Sequence, residues 1–234
     1  MNPLIIIPTY NEVDNIYSIV SQINDVLDGV EYSLLIVDDN SNDGTKDEIA
    51  KLQEKYSNIM ILNRVGKLGL ASAYIQGFKL GIEKGFDAFI QMDADFSHNP
   101  KYLIDMLKEL ENHDVVIGSR NIKGGSVLGW SFLRNFISKG GSLYSKLILG
   151  CPINDLTGGF NAWKKEILEK INLDMIISKG YSFQIEMKYK AYKKEAKIKE
   201  FPIIFEDRKM GNSKMSKSIF FEALLNIIKI RFCK

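Results

Sequence analysis

The chain has 234 residues, 45% of them hydrophobic, which is enough to bury a substantial core in one large domain, with or without a short appendage. Its 31 Lys and Arg nearly balance its 29 Asp and Glu, so the net charge of +2 does not point to a nucleic-acid partner, and none is expected. The 2 cysteines, Cys151 and Cys233, lie far apart without metal-ligand spacing, which argues against a disulfide framework and favours a reducing compartment.

Apolar strand patterns and amphipathic helix patterns alternate through the first half of the chain. The predicted strands are 4–7, 33–37, 59–62, 88–92 and 114–118, and the predicted helices lie near 13–27, 43–56, 68–84 and 100–111. This order predicts an α/β fold with a mainly parallel central sheet flanked by helices. The first strand begins almost at once, so we expect no signal peptide, and no apolar run reaches the ~18 residues of a membrane span.

Three of the predicted strands end in polar residues. The first runs into Pro8-Thr9-Tyr10-Asn11-Glu12, the second into Asp38-Asp39-Asn40-Ser41, and the fourth into Asp93-Ala94-Asp95. In open α/β sheets the ligand lies outside the carboxyl ends of the strands, so these segments should meet at one site. Two carboxylates one residue apart suit a Mg²⁺ or Mn²⁺ ion that also holds phosphate oxygens, although the tripeptide alone also fits a solvated turn.

The second half of the chain is less regular. Residues 123–130 form a glycine-rich loop suited to a mobile lid. Residues 131–149 carry an apolar stripe interspersed with Arg and Lys, which fits either a membrane interface or ordinary core packing. In the third βα connection, Gly66 to Ala71 opens a helix whose N-terminus either faces a phosphate or forms a plain turn.

The C-terminal part is basic. From Lys188 onward, 13 Lys and Arg stand against 5 Asp and Glu, a net charge of +8 that suits a pyrophosphate, an anionic lipid or a membrane surface. Residues 188–199 themselves are interpreted as a solvated lysine-rich helix. The last segment, 217–234, is predicted as an amphipathic helix appended to a catalytic domain of residues 1–216. It is too short and polar to span a bilayer, and its flanking cations favour lying on a membrane over docking on the domain.

The strand-end motifs and several later segments resemble a known family. The three motifs above, with Asp43-Gly44, resemble the motif set of the family-2, GT-A-fold inverting glycosyltransferases. Later segments are similar to the dolichol-phosphate (polyprenyl-phosphate) mannosyltransferase branch of that family: Asp155-Leu156-Thr157-Gly158-Gly159-Phe160, Lys179 to Met187, and Asp207-Arg208-x-x-Gly211-x-Ser213-Lys214. The resemblance extends from about Leu4 to Ser216 and implies a GT-A fold.

The resemblance also implies the residues of a site. Those implied for the nucleotide-sugar donor are Pro8, Tyr10, Glu12, Val37, Asp39, Asp93, Ala94, Asp95, Arg120, Arg208 and Lys214. Asp93 and Asp95 would hold the metal, with Asp95 and Arg120 in the catalytic roles. Some relatives have a Gln two residues past the second Asp, where this chain has Ser97, a weaker ligand. Arg134, with Ser138 one helical turn on, corresponds to the acceptor-phosphate site.

The nature of the acceptor depends on whether a general base is needed. A sugar hydroxyl needs one, whereas a phosphate monoester, with a second pKa of about 6, is already an anionic nucleophile at neutral pH. The chain also lacks the Gln-x-x-Arg-Trp signature of the processive synthases in this family. Both points favour a lipid-phosphate acceptor, although Asp155 is available as a base in the sequence.

The preferred hypothesis is an inverting, metal-dependent hexosyltransferase that moves mannose from GDP-mannose to a polyprenyl (dolichyl) phosphate. One alternative keeps the acceptor with a UDP-sugar such as UDP-glucose, and another is a non-catalytic membrane-associated subunit. A dinucleotide-binding oxidoreductase is disfavoured, because no Gly-x-Gly-x-x-Gly follows the first strand. The expected location is the cytoplasmic face of a membrane, with the membrane surface and a small membrane protein as partners.

Overall fold

A computed structural model describes residues 1–207 and 217–232 of the chain. The strands are β1 (Pro3–Thr9), β2 (Ser33–Asp38), β3 (Ile59–Asn63), β4 (Ala88–Gln91), β5 (Val115–Ser119), β6 (Ser126–Leu128), β7 (Asn161–Lys164), β8 (Ile198–Pro202) and β9 (Ile204–Glu206). The α-helices are α1 (Val13–Val26), α2 (Thr45–Lys55), α3 (Leu70–Glu83), α4 (Leu103–Asn112), α5 (Phe132–Leu149), α6 (Lys165–Ile171), α7 (Tyr181–Lys193) and α8 (Lys217–Phe232), with short 3₁₀ turns at Pro100–Tyr102 and Leu173–Met175.

The main sheet has seven strands in the order β3-β2-β1-β4-β7-β5-β8. All neighbours are parallel except β7, which runs antiparallel to both β4 and β5. The carboxyl ends of β1, β2, β4 and β5 therefore share one edge with the beginning of β7. The short strands β6 and β9 form a separate parallel pair. This is the α/β fold with a mainly parallel central sheet that the sequence predicts.

Helices cover both faces of the sheet and bury two hydrophobic clusters. On one face, α1 places its apolar stripe, spaced three and four residues apart, against the strands. On the other face, α3 lies very close to the sheet, because Gly81 has no side chain: a Cβ there would be 2.5 Å from Leu4 and from Phe89. This contact holds α3 against the beginnings of β1 and β4.

The strands and helices predicted for the first half are confirmed, with boundaries that differ by a few residues. The prediction that residues 123–130 form a loop is wrong in part, because Ser126–Leu128 form strand β6. Gly125 serves close packing, since a Cβ there would be 2.5 Å from the carbonyl oxygen of Ser119. The solvated lysine helix is also wrong at Lys188, which lies fully buried on α7.

Helices α5 and α8 pack against each other, and α8 also contacts α7. On α8, Ile227 and Ile230 are buried in the core, and Arg231 donates to the hydroxyl of Tyr189 at 2.9 Å. The C-terminal helix therefore docks on the domain along this face. The division of the chain at 216 lies outside the described residues and stays a prediction. In the described part of the chain, no helix has both the length and the apolarity needed to cross a membrane.

Candidate active site

The Asp93-Ala94-Asp95 segment directly follows β4 at the carboxyl edge of the sheet. Asp93 Oδ1 accepts a hydrogen bond from the buried hydroxyl of Tyr74 at 3.0 Å. Asp95 Oδ1 accepts from the hydroxyl of Ser97 at 2.6 Å and from its backbone N–H at 3.2 Å. Both carboxylates are partly exposed, while Ala94 is buried in the core between them. Ser97 thus orients Asp95 through a hydrogen bond.

His98 also holds the Asp93-Ala94-Asp95 segment in place. Its Nδ1 accepts the backbone N–H of Asp93 at 2.9 Å, so the neutral ring carries its proton on Nε2. The ring is buried, which lowers the pKa of His98, and it stacks on Phe160 with 5.0 Å between ring centroids. A neutral, stacked histidine therefore joins the carboxylate segment to the loop that precedes β7.

Asp39, directly after β2, forms a buried ion pair with Arg64. Its other carboxylate oxygen accepts the backbone N–H of Gly69 at 2.9 Å, at the N-terminus of α3. The helix that the sequence left open as phosphate site or plain turn thus has its first turn facing a carboxylate. Base recognition by Asp39 stays a prediction, and Arg64 is the ion-pair partner of this carboxylate.

The residues expected around the nucleoside lie on the ends of β1 and β2. Lys67 lies over the ring of Tyr10, with its Nζ 4.0 Å from the ring centroid. Glu12 accepts from the side-chain amide of Asn15 at 2.9 Å, and Pro8 is half-buried. The side chain of Val37 is fully buried in the core, and its expected part in framing the nucleoside stays a prediction.

Arg120 follows β5 and is held by Asp155 in a bidentate ion pair. Arg120 Nε lies 2.7 Å from Asp155 Oδ2 and Nη2 lies 2.8 Å from Oδ1. The backbone N–H groups of Arg120 and Gly158 also donate to this carboxylate, each at 2.9 Å. Burial acts to raise the pKa of Asp155, but the guanidinium outweighs it and holds the pKa well below its usual range. Asp155 is therefore a fixed anion and a poor general base.

Lys188 lies beneath the same loop. Its Nζ donates to the carbonyl oxygens of Asp155 at 2.8 Å, Gly158 at 2.7 Å and Leu156 at 3.4 Å. The side chain is fully buried, and burial lowers the pKa of Lys188 to about 7. The loop from 155 to 158 thus connects a buried ammonium to a buried guanidinium.

Arg134, in the first turn of α5, pairs with Asp207, with 2.8 Å between Nη1 and Oδ2. Its guanidinium stacks on Trp130 at 4.2 Å from the ring centroid, and Arg120 lies 5.7 Å from the same ring. Ser138 lies one helical turn from Arg134 on α5. Trp130 therefore stands between the two arginines expected for donor and acceptor. The other two cations expected for the donor, Arg208 and Lys214, lie outside the described residues.

The donor set at the sheet edge fits a hard divalent cation that shares its coordination with a ligand. Within residues 1–207 and 217–232, no three His, Cys, Asp or Glu side chains gather as a complete metal site. Two partly exposed carboxylates would leave most positions of a Mg²⁺ or Mn²⁺ ion to phosphate oxygens and water, as is usual for nucleotide sites. Asp93 and Asp95 are the residues that would hold it.

Five contributing residues were not identified from the sequence: Arg64, Tyr74, His98, Lys188 and Asp207, the last named only as part of a motif. Each acts through a hydrogen bond or ion pair with a residue between 5 and 73 positions away. A basic residue after a strand, a histidine near Asp-x-Asp and a lysine inside an apolar helix pattern were the available signals. None of these signals specifies its partner.

The fold and the carboxylate edge define a GT-A-like α/β protein. Glucosyl-3-phosphoglycerate synthase from Mycobacterium tuberculosis, solved with Mn²⁺, UDP and glucosyl-3-phosphoglycerate, matches this fold with a TM-score of 0.68 at 17% identity, over 98% of this chain and 78% of that one. The glycosyl transferase family 2 model matches residues 4–172, so the chain belongs to that family.

Two relatives are similar over nearly the whole chain. Undecaprenyl-phosphate mannosyltransferase from Micrococcus luteus is 40% identical over 98% of this chain and 93% of its own length. Polyprenol monophosphomannose synthase from Mycolicibacterium smegmatis is 40% identical over 96% of this chain and 84% of its own length. The family resemblance stated from the motifs is thereby confirmed.

Proposed function

We propose that this protein is an inverting mannosyltransferase that uses GDP-mannose and a polyprenyl phosphate and forms polyprenyl-phosphate β-mannose. The observation that carries the proposal is 40% identity, along almost the entire chain, to two proteins whose names state polyprenyl-phosphate mannose chemistry. The same lipid-phosphate chemistry with a UDP-sugar such as UDP-glucose is the alternative donor, and no described contact favours it.

The nucleophile follows from the state of Asp155. This carboxylate is saturated by Arg120 and by backbone N–H groups, so it is not available to take a proton from a sugar hydroxyl. A lipid phosphate needs no such base, because it is already anionic at neutral pH. Its oxygen attacks the anomeric carbon as the bond to the nucleoside diphosphate breaks, so an α-linked donor gives a β-linked product.

Donor binding is assigned to the sheet edge. Asp93 and Asp95 would hold a Mg²⁺ or Mn²⁺ ion, which when bound neutralises charge on the diphosphate. Tyr74, Ser97 and His98 hold these carboxylates in place before the donor arrives. Arg120 is assigned to the phosphates, with Arg208 and Lys214 as further cations, and cations placed there stabilise the departing diphosphate.

Acceptor binding is assigned to Arg134 and Ser138 on α5. An exposed apolar surface lies along the same helix, where Phe136 is 66% and Leu147 is 72% exposed. The sequence left open whether the 131–149 stripe lies in a membrane interface or packs in the core. Phe136 and Leu147 do not pack in the core, so these two positions favour the membrane interface. Such a surface beside a phosphate site suits the isoprenoid chain and the membrane from which it extends.

Association with the cytoplasmic face of a membrane is part of the proposal. The apolar surface of α5 and the exposed Ile228 and Phe232 of α8, which packs beside it, support contact with a membrane, and the cytoplasmic side stays a prediction. A small membrane-protein partner remains a prediction.

The proposal is tested by incubating the protein with GDP-mannose, a short polyprenyl phosphate and Mn²⁺, and then determining the anomeric configuration of the extracted lipid by NMR. We expect a β-mannosyl phosphate with Mn²⁺ and none with excess EDTA. An α-linked product would contradict direct displacement. Full activity in EDTA would contradict the metal assignment of Asp93 and Asp95.

A further inference from the structure

Lys188 lies where an apolar residue would be the ordinary choice. It is on α7 with a fully buried side chain, and the residues before and after it, Met187 and Tyr189, are also buried. Burying an ammonium is costly unless its donors are satisfied. Here the Nζ donates to three carbonyl oxygens of a single short loop, residues 155–158. The donors of the Lys188 amino group are therefore satisfied by one segment of backbone.

That segment is also the support of Arg120. The carboxylate of Asp155 accepts from Nε and Nη2 of Arg120, and the hydroxyl of Thr157 accepts from Nη2 at 2.9 Å. Two donors of the guanidinium are thereby fixed by side chains of the loop. The hydroxyl of Ser142 on α5 also contacts this loop, at 3.2 Å from the hydroxyl of Thr157.

We propose that Lys188 is a positioning residue for the transfer reaction: it anchors the 155–158 loop through three carbonyl groups and thereby sets the orientation of the Arg120 guanidinium. This inference rests on the proposed function, in which Arg120 faces the donor phosphates. A displacement of about 1 Å in such a group is enough to reduce turnover by two orders of magnitude. Lys188 itself contacts no reacting atom in this assignment.

The first test compares Lys188→Met with Lys193→Met. Lys193 is exposed on the same helix and serves as the matched control for the substitution. We expect Lys188→Met to lower kcat at least about tenfold, with the KM for the donor within about twofold, while Lys193→Met retains wild-type turnover. Equal kcat values for the two variants would overturn the proposal.

The second test separates positioning from general support of the fold. In a double-mutant cycle with Arg120→Lys, Lys188→Met should cost little further turnover, because its target is already lost. Effects that multiply would show that Lys188 acts elsewhere and would overturn the proposal. If Lys188→Met does not fold, as judged by its melting curve, Lys188→Gln retains two N–H donors and takes its place in both tests.

A readout without turnover distinguishes failure of this inference from failure of the proposed function. Hydrogen exchange of the Arg120 Nε–H, followed by NMR, should be faster in the Lys188 variant than in wild type and unchanged in Lys193→Met. If the wild-type protein transfers no sugar, the proposed function fails, and this exchange rate still decides the role of Lys188. Unchanged exchange in the Lys188 variant would overturn it.

Discussion

At the scale of single residues, Asp95 is presented to the site by a neighbouring hydroxyl. Ser97 donates twice to Oδ1, so the carboxylate is oriented before any ligand arrives. Pre-orientation of this kind lowers the cost of binding a cation and a diphosphate together. As a consequence, turnover and metal-dependent nucleotide binding should require the negative charge of Asp95, and not only the shape of its side chain.

We therefore expect Asp95→Asn to reduce kcat by a factor on the order of 10² or more and to abolish Mn²⁺-dependent GDP binding measured by calorimetry. The control is Asp105→Asn, an exposed carboxylate in the first turn of α4. Metal-dependent binding that survives in Asp95→Asn would show that this side chain does not hold the cation.

Asp155 predicts a specific pH dependence of stability. Its pKa in the folded state is well below the usual 3.8, with burial opposing the shift and Arg120 as the leading cause of it. The stability it contributes is fully present above that usual pKa and is lost as pH falls through and below it. The free energy of unfolding of wild type should therefore exceed that of Asp155→Asn most at pH 6, and the difference should shrink below pH 4. A difference independent of pH in urea titrations would contradict this account.

At the scale of elements, the first turn of α5 and the end of β9 meet through one ion pair. Asp207 directly follows β9, and its carboxylate pairs with Arg134. Its backbone N–H donates to the carbonyl oxygen of Leu128 at 3.0 Å. If Arg134 binds the acceptor phosphate, as proposed, the phosphate competes with this carboxylate. The two residues should then have opposite effects on the acceptor.

Accordingly, Arg134→Ala should lower kcat/KM for the lipid phosphate by about 10- to 100-fold, the value of a charge-assisted hydrogen bond of ~1.5–3 kcal/mol. Asp207→Asn should lower the KM for the same acceptor. Both variants should leave donor binding within about twofold of wild type, measured as GDP affinity with Mn²⁺. Weakened donor binding in Arg134→Ala would move this residue into the donor site.

The exposed surface of α5 gives a prediction for membrane binding. Phe136→Ser with Leu147→Ser should reduce sedimentation with anionic vesicles at least about tenfold, since each buried side chain contributes ~1.5–3 kcal/mol. Val65→Ser, at a 92% exposed position outside α5 and α8, is the control. Removing α8 would be less informative, because Ile227 and Ile230 belong to the core. Unchanged sedimentation of the double variant would exclude this surface from the membrane contact.

At the scale of the whole molecule, the sequence was sufficient for strands β1 to β5 and for the edge that carries the motifs, but it did not predict β7 and β8 of the main sheet. Periodicity identified the strands because they are apolar and end sharply in polar residues, as at Asp39 and Asp93. It was not sufficient for the partners of those residues. The pairing of Arg120 with Asp155 spans 35 positions, and the burial of Lys188 depends on a loop 30 or more positions away.

The proposed reaction pairs a mannose donor with a lipid-phosphate acceptor. The most direct measurement offers GDP-mannose and UDP-glucose in parallel, each with a short polyprenyl phosphate and Mn²⁺, and identifies the extracted lipid product by mass spectrometry. We expect a mannosylated lipid from GDP-mannose and no glycosylated lipid from UDP-glucose. A glucosylated lipid from UDP-glucose alone would contradict the donor assignment, and the absence of any lipid product would contradict the acceptor assignment.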